Sequence, residues 1–142
     1  MQSLSGILSE REMYSVDETQ TVAEVVRRMA FLHVGAILVL GDGALRGIFS
    51  ERDLMTRVVV ERLDAACTRV GEVMTTNLAT IDEQATVSQA METMGLIGCR
   101  HLPVLRHGRV VGMVSMRDLM GVELARKTEE IEHMRAYIHG ST

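Results

Sequence analysis

Gly47-Ile48-Phe49-Ser50-Glu51-Arg52-Asp53-Leu54-Met55 returns, 65 places later and without a gap, as Gly112-Met113-Val114-Ser115-Met116-Arg117-Asp118-Leu119-Met120. The agreement extends upstream, where Asp17, Glu18, Thr21, Val22, Met29, Val39, Leu40 and Gly43 recur as Asp82, Glu83, Thr86, Val87, Met94, Val104, Leu105 and Gly108. Self-similarity at one fixed period means two copies of one small unit, packed as a pair and carrying two related sites.

Hydrophobic patterning gives the unit its shape. Ser15-Val16 reads as a short leading strand. Over residues 21–32, Val22, Val25, Val26 and Met29 share one face with Arg27 and Arg28 opposite, which is helical spacing, and Gly35 is expected to end the helix. Residues 36–40 are a continuous apolar run, as in a strand buried on both faces. Gly41-Asp42-Gly43 signals a hairpin turn, residues 45–49 form the returning strand, and Ser50 opens a helix to about Arg62. In the second half the same reading gives a strand over 78–81, a helix over 86–96, a strand over 101–105, a turn at 106–109 and a strand over 110–114. Each half is therefore β-α-β-β-α, an α+β fold. Residues 64–71 link the halves, and one helical turn is expected around residues 4–8. Pro103, the only proline, replaces Leu38 of the first copy, which suits an edge strand or a strand start. Residues 1–66 form the first unit and 67–127 the linker and second unit. The last helix overhangs the repeat: Leu124, Ile131, Met134 and Ile138 form an apolar stripe able to cover a partner subunit, and 128–142 is an extension of its own.

The bulk numbers limit what such a pair can be. Each repeat is near 60 residues, where a lone core is marginal, so the halves are expected to bury apolar faces on each other. Aromatic residues make up 3% of the 142 and Met is high at 11, so the core is aliphatic. Few rings and a net charge of −4 argue against nucleic acid as a partner. Cys67 and Cys99 match no metal spacing, which fits a reduced, cytoplasmic setting, and no apolar run is long enough for a membrane span. The scattered histidines give no structural metal site.

Ser50 with Asp53, and Ser115 with Asp118, admit two readings. As plain structure each pair is close to a capping box, the acid lying at the positive end of the helix dipole. As a site, a helix N-terminus attracts phosphate, the serine hydroxyl adds a bond to phosphate or sugar, and a carboxylate one turn in can accept both hydroxyls of a ribose diol. The readings are compatible.

Thr21-Val22 and Thr86-Val87, the string Arg100-His101-Leu102-Pro103-Val104 and the two Gly-to-Asp strings together resemble a tandem CBS-domain pair, or Bateman module, of the small stand-alone bacterial kind; Tyr137-Ile138-His139-Gly140 is similar to the end of their last helix. The resemblance covers about residues 7–140. It implies two CBS repeats with pseudo-two-fold symmetry, an α/β sandwich-like layering and an extended C-terminal helix. It further implies adenosine-containing ligands (AMP, ADP, ATP, NAD or S-adenosylmethionine) in two clefts, as regulatory ligands rather than catalytic cofactors. By the same resemblance Ser50 and Asp53 serve one cleft, facing Thr80, Ile81, Arg100, His101 and Pro103. Ser115 and Asp118 serve the other, facing Ser15, Val16, Gly35 and Ala36. Arg100-His101 against Gly35-Ala36 then gives the Asp53 cleft the preference for a phosphate tail, with Arg117 available to the Asp118 cleft; Arg52 and Arg117 stand where many members have Ser or Thr. A sensor module, a homodimer acting on an unidentified regulated protein, is the function implied. The alternatives are a ligand-free structural dimer and a nucleotide-hydrolysing enzyme; no nucleophile–base constellation is legible for the latter, so no catalytic residues are assigned.

Overall fold

The computed structural model describes residues 2–140; Met1 of the first unit and Ser141 and Thr142 of the C-terminal extension lie outside the described residues. Each half is organised by a hairpin. Strands β2 (Ala36–Gly41) and β3 (Ala44–Ser50) are joined through Asp42 and Gly43, both left-handed with φ of 51° and 75°. Two successive positive φ values make the turn whose twist suits a tight antiparallel pair, and Gly43 adopts its value without strain. His107 and Gly108 repeat this geometry between β5 (His101–Arg106) and β6 (Arg109–Ser115). A leading strand lies parallel to each hairpin, β1 (Ser15–Asp17) on β2 and β4 (Ile81–Asp82) on β5, giving two three-stranded sheets.

Pro103 sits neither on an edge strand nor at a strand start: it is the third residue of β5, the central strand of its sheet. Its twin Leu38 pairs with Ser15 of β1. Proline has no N–H to offer such a pair, and β4 begins one residue later, with Ile81 opposite Val104. In place of the expected strand over 78–81, β4 is the shorter and later Ile81–Asp82.

The helices follow the periodicity. α2 (Val22–Leu32) is capped by the Thr21 hydroxyl, which accepts from the Glu24 N–H, and it ends at His33 in the left-handed region rather than at Gly35. α5 (Val87–Ile97) is capped by Thr86 and ends at Gly98. α3 (Glu51–Asp53) runs on as a π-helix over Leu54–Val59 and stops short of Arg62. Its twin α6 (Met116–Gly140) is a continuous α-helix.

Strand alternation sorts the apolar residues into three clusters. Ile37, Val39 and Phe49 face Val22, Val25 and Met29 of α2. Leu102, Val104 and Val114 face Val87, Ala90, Met94 and Leu119 of the second half. The opposite faces meet each other: Ala36, Leu38 and Ile48 pack with Leu78, Val110 and Met113. Helices, sheet, sheet and helices thus form the layers, and both faces of β2 are buried.

Each core is completed by a segment from elsewhere in the chain. α1 (Leu4–Leu8) precedes the first repeat, yet Leu4 is buried in the second core, and the N–H groups of Leu4 and Ser5 donate to the Ala85 and Glu83 carbonyls. α4 (Val70–Val73), in the linker, does the same for the first half: Val70 and Gly71 donate to Gln20 and Glu18. These twins are 66 places apart, one more than the repeat. Leu8 closes over Gly112 as Met74 closes over Gly47; a Cβ at Gly47 would collide with Met74 and the Thr75 carbonyl, and one at Gly112 would sit tightly against the Leu8 methyl groups.

Candidate functional site

The two helix starts have the same local geometry. The Asp53 N–H donates to Ser50 Oγ, and the Ser50 N–H donates back to Asp53 Oδ2 at 3.0 Å. The Asp118 N–H donates to Ser115 Oγ at 3.0 Å, and the Ser115 N–H donates to Asp118 Oδ2 at 2.9 Å. Both are reciprocal caps. The surroundings differ. Asp53 is 6% exposed, and its Oδ1 accepts from the Thr75 hydroxyl at 2.9 Å with Arg57 Nε at 3.5 Å. The Asp118 side chain is 31% exposed, and its further partner is Arg11, whose Nη1 donates to Oδ2 at 3.0 Å.

Asp118 lines an open cleft of about 1590 Å³. Ser115, Met116 and Arg117 join it from the same helix start, Arg100 and His101 from the start of β5, and Gly35, Ala36 and Glu51 from the first half. The rest of the wall includes Leu8, at the end of α1, and Glu10, Arg11, Glu12, Met13 and Tyr14 from the stretch between α1 and β1. Hairpin register explains two of these placements. His101 pairs with Ser115, and the Met116 N–H donates to the Arg100 carbonyl, so both residues lie beside the Asp118 helix. Gly35 is fixed likewise, its carbonyl accepting from the Glu51 N–H.

Burial pushes the Asp118 carboxyl upward, but hydrogen bonds from Arg11 and Ser115 more than reverse this and hold it below the ordinary carboxylate value. His101 is lowered below its ordinary 6.5 by burial; Asp118 and Glu51 pull the other way, and Arg100 adds to the lowering. A neutral imidazole beside a carboxylate and several guanidinium groups can offer one donor and one acceptor. The cleft therefore combines a diol acceptor, anion partners and the phenol ring of Tyr14.

The expected residues are distributed differently from the family-based assignment. Gly35 and Ala36 share the cleft with Asp118, as do Arg100 and His101, which had been assigned to Asp53. The contrast between the two pairs therefore does not separate two clefts. Ser50, Arg52, Asp53, Thr80, Ile81 and Pro103 lie outside this cleft, and Ser15 and Val16 give way to Met13 and Tyr14. Val16 is committed to the first core, and Ser15 pairs with Leu38. Arg100 is exposed at the cleft wall. Arg11, Tyr14 and Glu51 were not foreseen. Glu51 lay within the repeated string, whereas Arg11 and Tyr14 lie where the 65-place period no longer holds. Among the described residues no helix is long and apolar enough to cross a membrane.

A profile of the CBS domain matches residues 4–60 and 70–124. The CBS domain-containing protein CBSX3, mitochondrial, of Arabidopsis thaliana is 34% identical over 125 residues, covering 84% of this chain and 61% of that protein. The chain thus spans about three fifths of that relative's length. Among solved structures, a protein with CBS domains from Burkholderia ambifaria MC40-6 superposes with a TM-score of 0.81 at 29% identity, covering 87% of this chain and 95% of the other. A CBS domain protein from Pyrobaculum aerophilum, complexed with AMP, superposes with a TM-score of 0.74 at 29% identity, covering 82% and 89%. With two matched copies spread over a doubled β-α-β-β-α fold, this chain belongs to the CBS-domain family as a tandem pair.

Proposed function

We propose that this regulatory CBS pair senses an adenosine-containing ligand, of the class of AMP, ADP, ATP or NAD, in the cleft that holds Asp118. The observation that carries the reading is the contrast in carboxylate access. Asp118 opens on a cleft large enough for a nucleotide, with Ser115 at the helix start and Arg100, Arg117 and His101 on the wall. The helix N-terminus favours an anion there, and the Tyr14 ring offers a purine an apolar face. That a relative at 29% identity is complexed with AMP supports the ligand class. Asp53, with both oxygens engaged, serves in this reading as a cap. Binding would act on a regulated partner by favouring one arrangement of the halves, through differential affinity alone.

Thermal melts with AMP, ADP, ATP, NAD and S-adenosylmethionine test the reading. A ligand at a hundred times its Kd adds about 2.7 kcal/mol. No shift with any of them would leave the pair a structural module, and turnover of a nucleotide by the pure protein would make it an enzyme. We further propose that a second copy covers the exposed apolar residues of α6, Leu124, Ile131 and Met134. A monomeric mass by light scattering at micromolar concentration would count against this.

A further inference from the structure

Arg11 lines the same cleft as the carboxylate it holds. Its guanidinium and the Ser115 N–H both donate to Asp118 Oδ2, at 3.0 and 2.9 Å. A carboxylate oxygen has two lone pairs, so this one is filled. A ribose diol brings two adjacent O–H donors and grips a carboxylate through both oxygens. To do so at Asp118 it must take the place of Arg11 on Oδ2. In the first half the crossing segment brings a hydroxyl, Thr75, to the carboxylate in place of an arginine: with the 66-place offset, the position equivalent to Arg11 is Asn77. Asp53 draws its arginine from its own helix, one turn on, at Arg57.

A guanidinium displaced from Asp118 remains on the wall of an occupied cleft. Its planar fork suits a phosphate, to which it makes charge-assisted bonds. A nucleoside would displace Arg11 and give it nothing in return, whereas a nucleotide supplies a new anion. We propose that Arg11 is a specificity-determining residue of the Asp118 cleft: it competes with the ribose for Asp118, and only a ligand carrying a phosphate compensates the exchange. This rests on the reading of the cleft as an adenosine site.

The sizes of the two effects separate them. Arg11 and Asp118 have side chains 39% and 31% exposed, and competition from such a part-exposed pair is worth up to about fivefold. A charge-assisted bond to phosphate is worth about ten- to a hundredfold. Calorimetric titration of the wild type, Arg11→Ala and Arg11→Lys with adenosine and with AMP reads both. Arg11→Ala is expected to bind adenosine about two- to fivefold tighter and, the same gain being set against the lost phosphate bond, AMP about two- to fiftyfold weaker. Arg11→Lys, which keeps the charge, is expected to restore the preference for AMP. Opposite changes for the two probes cannot come from a loss of folded protein. Unchanged AMP affinity in Arg11→Ala, or parallel loss of both probes, overturns the role of Arg11 while leaving the cleft an adenosine site. A wild type that binds neither probe overturns both.

Discussion

Asp53 and Asp118 occupy the same place in two copies of one nine-residue string, yet one is closed over and the other opens on a cleft. The helix starts are not the cause, since both form the same reciprocal cap. The segment laid across each one is. In the first half Thr75 exchanges backbone hydrogen bonds with Ile48 in both directions, which holds its hydroxyl against Asp53. Its counterpart in the second half, Ser9, is spent on the end of α1: its N–H donates to Ser5 and its hydroxyl to the Gly6 carbonyl. Arg11 reaches Asp118 in its stead. A carboxylate at a helix start is thus a cap or an accessible acceptor according to what the neighbouring chain does with its own polar groups.

Substituting the two aspartates tests this contrast most severely. Asp118→Ala removes a charged acceptor of two hydroxyls, and nucleotide affinity is expected to fall at least about a hundredfold in calorimetric titration. Asp53→Ala is expected to leave that affinity unchanged and instead lower stability by about 2 kcal/mol in urea unfolding, because the Ser50 N–H and Thr75 hydroxyl lose their buried acceptor. The reverse assignment of losses would break the comparison. Thr75→Val sharpens it by removing one bond to Asp53 while keeping the shape: a loss of about 1 kcal/mol is expected, with nucleotide affinity unchanged. Equal affinity for nucleotide at a newly opened Asp53 would show that Thr75 alone kept the first site shut.

The smallest effect concerns acid. His101 has its proton affinity lowered in the folded protein, chiefly by burial. The unfolded chain therefore binds this proton first as pH falls. The stability contribution is complete above the ordinary value of 6.5 and is lost as pH falls from there through the lowered folded value. His101→Gln is expected to flatten that part of the stability–pH curve; an unchanged slope there would place the linkage elsewhere. Asp118 loses its own contribution lower still, since its carboxyl is held below the carboxylate range.

The sequence carried the strands, the helices and both caps because a 65-place period aligns them without a gap. Setting His101 beside Ser115 takes one thing more, a bulge that the structure supplies. Counting back from the turn at His107 and Gly108 along both strands, with one bulge between Val104 and Leu105, brings these residues opposite each other. The family-wide rule that sets Arg100 and His101 against Asp53 takes no account of this register. Arg11 and Tyr14 were less accessible. Their segment is related to its twin by 66 places, shares almost no residue types with it, and reveals the kinship only through backbone hydrogen bonds such as Leu4 to Ala85 and Val70 to Gln20. Pro103 shows a propensity rule applied correctly to the wrong neighbour: the central strand tolerates it because the adjoining strand is shortened there.

The crossed placement of α1 and α4 also sets an order of assembly. α4 docks on residues of the first half that have already been synthesised, whereas the acceptors for α1, Glu83 and Ala85, are made about 80 residues after it. As the chain leaves the ribosome, the first sheet can close with its own linker helix while Leu4 still has no core to enter. α1 is therefore held back until β4 and α5 exist. Residues 10–14, which line the cleft, are tethered at both ends only once the second half has formed.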